Sequence, residues 1–242
     1  MDEQQWIGVV RHGQSTANVA AETAAHDRLD LIDVAEREAD VPLSDLGRRQ
    51  AEGLARRLRE LPEGQVPDLA LVSPFLRARQ TAEIALGELG TRVRVDERLR
   101  DRDLGVLDLH TAQGIRTLFP EEARRRDRQG KFYYRPPGGE SWTDVALRVR
   151  AVLREIEQDR PGRRVILFVH DVVVSAVRYV LEELDEESLM TTAASAPIGN
   201  ASLSSWIRTG GVWRPDLFNA VDHLDDEPTA HPTAEEPADD RS

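Results

Sequence analysis

Cysteine is absent from the 242-residue chain, and so is any long uninterrupted apolar segment. Without cysteine, neither a disulfide bond nor a thiolate metal site can contribute. The most apolar stretch, residues 165–181, is broken by His170, Asp171 and Arg178, which argues against a membrane span. The first residues also lack the basic and apolar pattern of a signal peptide. We therefore predict a soluble, cytoplasmic protein that has no membrane partner.

Lysine is nearly absent as well, because Lys131 is the only lysine among 32 basic residues. The formal net charge of −12 is concentrated at one end of the chain. Residues 222–242 hold eight acidic residues and one arginine, which contribute −7 and leave −5 for the rest. A body of that charge offers no broad basic surface to nucleic acid. We predict a folded domain over residues 1–221, followed by an acidic, disordered tail over 222–242.

Apolar runs and helical repeats alternate along the predicted domain. Buried strands are predicted at residues 6–10, 68–72 and 165–169, and a third short strand at 92–95. A closing strand at 201–207 and Trp213 predict a hairpin around Gly210-Gly211. Helices are predicted from Ser44 until Pro62 stops the first, and from the N-cap Ser73 to Gly87 or Gly90. Two more are predicted over residues 141–159 and 172–184. This alternation predicts an α/β fold of three layers, αβα, around a mostly parallel central sheet. Two less regular stretches, 19–42 and 106–135, are predicted to be surface insertions that form a substrate lid.

Three of the predicted strands end in polar residues suited to binding an anion. Arg11-His12-Gly13 follows the first strand, Ser73 and Arg77 follow the second, and His170-Asp171 follows the most apolar one. In an open α/β sheet, ligands bind outside the carboxyl ends of the strands, where helix amino termini favour anions. Transfer of a phosphoryl group needs a nucleophile, cations around its oxygens and a proton for the leaving oxygen. The strand ends offer the first two, and the charged loop 97–105 offers the third.

Five segments, spread over most of residues 6–208, resemble motifs of the histidine phosphatase superfamily, also called the phosphoglycerate mutase-like superfamily. They are Arg11-His12-Gly13 with Ser15 and Asn18, Pro42-Leu43-Ser44-x-x-Gly47-x-x-Gln50-Ala51, Ser73-x-x-x-Arg77-Ala78-x-Gln80-Thr81-Ala82, Gly139-Glu140-Ser141, and Val169-His170. Each motif is short, and the strength of the resemblance comes from their combination and order.

The resemblance implies a role for each matching residue. His12 is the implied nucleophile that takes up the phosphoryl group. It must be neutral to attack, which the ordinary histidine pKa of about 6.5 permits at physiological pH. The residues implied to hold the phosphoryl oxygens are Arg11, Arg77 and His170, with Ser15 and Asn18 as additional neutral donors.

The implied proton donor departs from the family pattern. This branch carries a glutamate in a Leu-x-Glu-x-x-x-Gly run, and residues 99–105 match that run with Asp101 in the glutamate's place. Three arginines, at positions 98, 100 and 102, surround it in sequence. Arginines facing the carboxyl group would lower its pKa and weaken it as an acid near neutral pH, whereas burial or a dianionic substrate would act in the opposite direction.

Asp171 is the alternative proton donor, because a related acid-phosphatase branch uses an aspartate directly after the second histidine. The other interpretation of Asp171 is that it caps the helix that follows. We favour Asp101 as the acid. Glu140 either shapes the edge of the site or only begins the next helix.

The residues and the resemblance together predict a phosphatase that hydrolyses small phosphate monoesters through a phosphohistidine, with no cofactor and no metal. The first alternative is a 2,3-bisphosphoglycerate-dependent phosphoglycerate mutase, disfavoured because position 101 is not glutamate. The second is an inactive binding module of the same fold. Substrate specificity is assigned to the insertions 19–42 and 106–135, and the sequence carries no signal for an oligomeric state.

Overall fold

A six-stranded sheet positions the residues predicted to form the site. The computed structural model describes residues 5–159 and 163–224. Along these residues the strands are β1 (Gln5–Arg11), β2 (Leu69–Val72), β3 (Arg92–Val95), β4 (Arg164–Val169), β5 (Leu203–Thr209) and β6 (Val212–Ala220). The α-helices are α1 (Thr16–His26), α2 (Asp45–Arg59), α3 (Leu76–Leu86), α4 (Ala112–Leu118), α5 (Pro120–Gln129), α6 (Trp142–Asp159), α7 (Asp171–Leu181) and α8 (Glu186–Ser195).

The strand order is β3-β2-β4-β1-β5-β6, so the most apolar strand, β4, lies in the middle of the sheet. β4 pairs in parallel with β1 on one side and with β2 on the other. β2 also pairs in parallel with β3, whereas β5 and β6 are antiparallel to their neighbours. The carboxyl ends of β1, β2 and β4 therefore meet at one edge of the sheet. The predicted mostly parallel α/β sheet is confirmed.

Both faces of the sheet are covered, which confirms the three-layer arrangement. On β1, Ile7 and Val9 pack with residues of α6 and α7. The alternate residues Trp6 and Val10 pack with α2 and α3 on the opposite face. Alternate side chains of a strand point to opposite faces, so a strand covered on both sides is apolar throughout. Each fully buried aliphatic side chain contributes about 1.5–3 kcal/mol of stability.

The two predicted insertions contain regular structure and are tied to each other. Residues 19–42 include most of α1 and a short 3-10 turn, Glu38–Asp40. Residues 106–135 include α4 and α5, and α5 has no buried residue, which explains why no apolar period marks it. The backbone N–H of Thr111 donates to the carbonyl of Asp30 at 3.1 Å, and that of Ile32 to Leu109 at 2.9 Å. The insertions thus form one connected surface layer.

The folded domain extends slightly past its predicted end. Residues Asp222–Leu224 form a 3-10 turn, and Leu224 is buried. Asp222 forms an ion pair with Arg57 of α2, which fixes the turn to the domain. The rest of the predicted acidic tail, 225–242, lies outside the described residues. Within the described ranges, no helix has both the length and the apolarity required to cross a bilayer.

Candidate active site

His12 and His170 follow directly on the adjacent parallel strands β1 and β4. Arg11 is in register with Val169, so the next residue of each strand lies beside the other. The two imidazole centroids are 5.2 Å apart with an angle of 62° between the rings, and both residues are fully buried. The structure thus brings together two histidines that are separated by most of the chain.

The hydrogen bonds of His12 fix which ring nitrogen can react. Nδ1 lies 2.7 Å from the carbonyl oxygen of Gly13, which can only accept, so Nδ1 carries the proton. The lone pair of the neutral ring is therefore on Nε2. The Nε–H of Arg77 points at this nitrogen from 3.2 Å. A nucleophilic nitrogen and a guanidinium thus face each other in one buried space.

Residues of the second and third motifs hold the loop that follows His12. Gly47, in the first turn of α2, passes so close to this loop that a Cβ atom there would lie 1.9 Å from the carbonyl oxygen of Gln14. The side-chain oxygen of Gln50 accepts the backbone N–H of Gln14 at 2.8 Å. The hydroxyl of Thr81 accepts the N–H of Gly13 at 3.0 Å. These motif residues hold the backbone next to His12 in place.

Arg77 lies in the first turn of α3, which begins three residues later than predicted. Ser73 is not the N-cap of this helix; Phe75 occupies that position, without a side-chain capping bond. The guanidinium lies 5.0 Å from the centre of the Phe75 ring, and its Nη2 is 2.7 Å from Oδ2 of Asp101. Burial of this ion pair makes the position of Arg77 well defined.

Ser73 instead contacts the second histidine, a contact that the sequence did not predict. Its Oγ lies 2.8 Å from Nε2 of His170 and accepts the N–H of Phe75 at 3.3 Å. A carboxylate oxygen can only accept, so Oδ2 of Asp101 favours the tautomer of His170 that has its proton on Nδ1. In that tautomer Nε2 accepts the serine proton. The buried Nδ1 makes no hydrogen bond within the described residues, although Oδ2 of Asp101 is 3.2 Å away.

Asp101 lies between the arginine and the second histidine, and is only 7% exposed. The expectation that the three sequence neighbours crowd its carboxylate is wrong. Arg98 pairs with Asp96 and Glu155, Arg100 pairs with Glu140, and the guanidinium of Arg102 donates to the carbonyl oxygen of Glu140. Those arginines have acceptors of their own, because side chains in an irregular loop diverge.

Glu140 holds the loop that carries Asp101. Its carboxylate accepts from Arg100 at 2.6 Å and from two nitrogens of Arg148, each at 3.1 Å. Arg148 in turn donates to the backbone carbonyl of Asp101 at 3.0 Å. The first of the two interpretations of Glu140 therefore describes its contacts better: it shapes the edge of the site, and α6 begins two residues later.

The other predicted residues occupy varied positions. Arg11 is buried at the end of β1 and donates to the carbonyl of Ile198 at 2.5 Å. Ser15 and Asn18 form a capping box at the start of α1, each satisfying a backbone N–H of the other. Asp171 is the first residue of α7, and His170 occupies the N-cap position that we had considered for Asp171. Whether these residues bind phosphate stays a prediction.

Two loop residues that the sequence did not single out complete the surroundings of the site. Glu38, in the insertion 19–42, contacts Arg77 through both its carbonyl and its carboxylate. Asn200 donates to the carbonyl of His12 at 3.2 Å. Among the described residues, no cluster of histidine and carboxylate side chains has the arrangement of a metal site.

Comparison with known proteins gives consistent matches over nearly the whole domain. A family model of the histidine phosphatase superfamily, branch 1, matches residues 7–221. A glucosyl-3-phosphoglycerate phosphatase of Mycobacterium tuberculosis (strain CDC 1551 / Oshkosh) is 31% identical over 223 residues, covering 86% of each chain. A probable phosphoglycerate mutase of Photorhabdus laumondii is 26% identical, covering 90% of this chain and 94% of the relative. The solved structure of a mycobacterial glucosyl-3-phosphoglycerate phosphatase with VO3 has a TM-score of 0.69 at 31% identity, covering 89% and 98%.

The sheet topology and the buried histidine pair at its carboxyl edge place the chain among α/β enzymes that transfer phosphoryl groups. More narrowly, the match over residues 7–221 and the 31% identity show that it belongs to the histidine phosphatase superfamily, branch 1. The predictions of this superfamily, of its fold and of a phosphoric monoester hydrolase are confirmed. The roles of the individual residues are argued below.

Proposed function

We propose that the chain hydrolyses small phosphate monoesters through a phosphohistidine formed on Nε2 of His12. One observation carries the proposal: the Nε2 lone pair of a buried, neutral imidazole faces the Nε–H of Arg77 at 3.2 Å. A single hydrogen bond from a guanidinium to a neutral nitrogen is weak. The same guanidinium forms a strong, bidentate contact with phosphoryl oxygens. A phosphoryl group that enters between the two would meet its nucleophile and its counter-charge together.

The first chemical step transfers the phosphoryl group to the enzyme. The Nε2 lone pair attacks phosphorus, the N–P bond forms, and the bond to the ester oxygen breaks on the opposite side. Asp101 takes up the proton of the substrate monoanion and gives it to the departing alkoxide, which leaves as an alcohol. In the second step water attacks the phosphohistidine, Asp101 takes up a proton from that water, and the N–P electron pair returns to Nε2.

The position of Asp101 supports its role as the acid. Its Oδ2 contacts Nη2 of Arg77, whereas His12 contacts Nε at the other end of the same guanidinium edge. In-line displacement places the leaving oxygen opposite the nucleophile, which is the side on which Asp101 lies. The contacts of one arginine therefore support Asp101 as the acid over Asp171.

Four groups are proposed to bind the phosphoryl oxygens. The Nδ1–H of His170 faces the space next to Asp101, and Arg77 supplies the guanidinium edge formed by Nε and Nη2. Arg11 and the amide of Asn18 are further proposed donors. Because fixed cationic and neutral donors meet the charge of the phosphoryl group, no step requires a metal. The cytoplasm is the proposed compartment.

Trapping of the intermediate tests the proposal. The purified enzyme is mixed with a ³²P-labelled aryl phosphate and quenched in alkali, in which phosphohistidine survives. We expect label on wild type and on His26→Ala, which removes an exposed histidine of α1. His12→Ala should carry no label and lose at least about 10³-fold in kcat. Undiminished turnover by folded His12→Ala would exclude the mechanism.

A mutase would share the labelled histidine, so a second assay separates the two activities. The enzyme is incubated with 3-phosphoglycerate in the presence and absence of 2,3-bisphosphoglycerate, and both inorganic phosphate and 2-phosphoglycerate are measured. A phosphatase releases inorganic phosphate without the primer. Primer-dependent isomerisation without phosphate release would identify the mutase, and an unlabelled, inactive wild type would identify a binding module.

A further inference from the structure

Glu38 holds the phosphate-binding arginine from the side opposite the nucleophile. The Nη1 of Arg77 donates to the carbonyl of Glu38 at 2.9 Å, and Nη2 lies 3.5 Å from its carboxylate oxygen Oε1. The third nitrogen, Nε, points at His12. All three guanidinium nitrogens thus have protein acceptors. Glu38 contacts the two Nη nitrogens, whereas His12 contacts Nε.

The contact with the Glu38 carboxylate is the one that a substrate can most easily replace. It is 0.8 Å longer than the Asp101 contact with the same nitrogen, at 3.5 Å against 2.7 Å. The Glu38 side chain is 37% exposed, whereas that of Asp101 is 9% exposed. Glu38 also begins a three-residue 3-10 turn that has no side-chain capping bond. A phosphoryl oxygen can therefore displace this carboxylate from Arg77 while Asp101 stays.

Building on the phosphatase proposed above, we propose that Glu38 selects substrates by the charge of their alcohol. In-line attack by His12 directs the departing alcohol to the Nη side of Arg77, where Glu38 lies. A displaced carboxylate remains there and repels a second negative charge on that alcohol, whereas it can accept a hydrogen bond from a hydroxyl group. The preferred substrates are phosphate monoesters of uncharged, hydroxyl-bearing alcohols.

The neighbouring charges support this selection. Arg37 is paired with Asp40, and Arg100 with Glu140, so both cations already have carboxylate partners. Burial raises the pKa of the nearby Asp108 carboxyl, and the carboxylates of Asp103 and Asp101 raise it further, while Arg77 acts in the opposite direction. Besides Asp101 and Glu38, Asp108 is thus close enough to Arg77 for the two charges to interact.

A matched pair of three-carbon esters tests the proposal. Glycerol 3-phosphate and 3-phosphoglycerate differ only in a CH₂OH group against a carboxylate at the far end of the alcohol. Their kcat/KM values, and their inhibition constants against aryl phosphate hydrolysis, are measured for wild type, Glu38→Gln and Glu38→Lys. Glu36→Gln is the control, because it removes the same charge from an exposed side chain two residues away.

We expect wild type and Glu36→Gln to prefer glycerol 3-phosphate by about tenfold or more. Glu38→Gln should reduce this ratio about fivefold or more, and Glu38→Lys should reverse it. An unchanged ratio in a Glu38→Gln enzyme that still hydrolyses aryl phosphate would overturn the selection and leave the phosphatase intact. The selection would also be overturned if neither ester inhibited aryl phosphate hydrolysis in any of the variants. If wild type did not hydrolyse aryl phosphate at all, the proposed function itself would be overturned.

Discussion

The hydroxyl oxygen of Ser73 lies 2.8 Å from Nε2 of His170 and joins the ends of β2 and β4. Neither residue is exposed, so the contact is shielded from water. A serine proton donated to Nε2 stabilises the tautomer that has its ring proton on Nδ1, the nitrogen beside Asp101. A donor placed in this way adds to phosphoryl binding without becoming charged.

Replacing Ser73 tests this arrangement. Ser73→Ala leaves Nε2 of His170 without its partner and lets the tautomer vary, so we expect kcat/KM for an aryl phosphate to fall about 10- to 100-fold. Ser175→Ala removes another buried hydroxyl, on α7, and should keep nearly full activity. Nitrogen-15 spectra of the histidine rings give an independent measurement. If the His170 tautomer is the same in Ser73→Ala, the serine has no such role.

The core of the site could be predicted from the sequence because strand ends are marked by composition. His12 and His170 each follow an apolar run, and parallel neighbours must end at the same edge. Arg77 followed from its place one turn after such an end. What the sequence did not show was the direction of side chains in irregular segments, where no period relates neighbours in sequence to neighbours in space.

Asp101 and Glu38 illustrate that limit. The guanidinium groups of the three arginines within three residues of Asp101 have other acceptors, whereas Arg77, which contacts its carboxylate, is 24 residues away. Glu38 lies in an insertion whose apolar positions have no regular spacing. The spacing of three residues between Ser15 and Asn18 is that of a capping box, whereas the family motif indicated phosphate binding for both.

Glu140 is predicted to stabilise the acid loop. Glu140→Gln weakens the contacts with Arg100 and Arg148, of which the second is largely buried. Removing one partner of such a network costs about 1–3 kcal/mol of unfolding free energy. We expect kcat to fall about tenfold through the displaced Asp101, with KM less affected. Urea unfolding and steady-state kinetics measure the two effects.

The matched control for this experiment is Glu121→Gln. That carboxylate forms a comparable pair with Arg124 at 2.6 Å, but both side chains are exposed on α5. Exposed pairs contribute about 0–1 kcal/mol, so both stability and kcat should stay near wild type. Equal losses in the two variants would contradict the proposed role of Glu140.

Asp96 is expected to make the stability of the fold depend on acidic pH. Its carboxylate, 5% exposed, accepts two guanidinium hydrogen bonds from Arg98, at 2.9 and 2.6 Å. These bonds and the nearby arginine charges hold the pKa of Asp96 below its ordinary value of 3.8, although burial opposes them. A carboxyl group with a lowered pKa in the folded state stabilises the fold above its unfolded pKa. That contribution is lost as the pH falls below 3.8 through the folded-state pKa.

Urea unfolding of wild type and Asp96→Asn at about pH 6 and about pH 3 checks this dependence. At the higher pH we expect the variant to be less stable by about 1–3 kcal/mol, because the buried charged hydrogen bonds are weakened. At the lower pH the difference should shrink. The unfolded wild-type chain then binds a proton at Asp96 more readily than the folded one, whereas the variant binds no proton at this position. Asp40→Asn, which removes a fully exposed partner of Arg37, should follow wild type at both pH values because solvent screens that pair. A difference for Asp96→Asn that stays constant between the two pH values would show that the aspartate contributes through packing rather than through its charge.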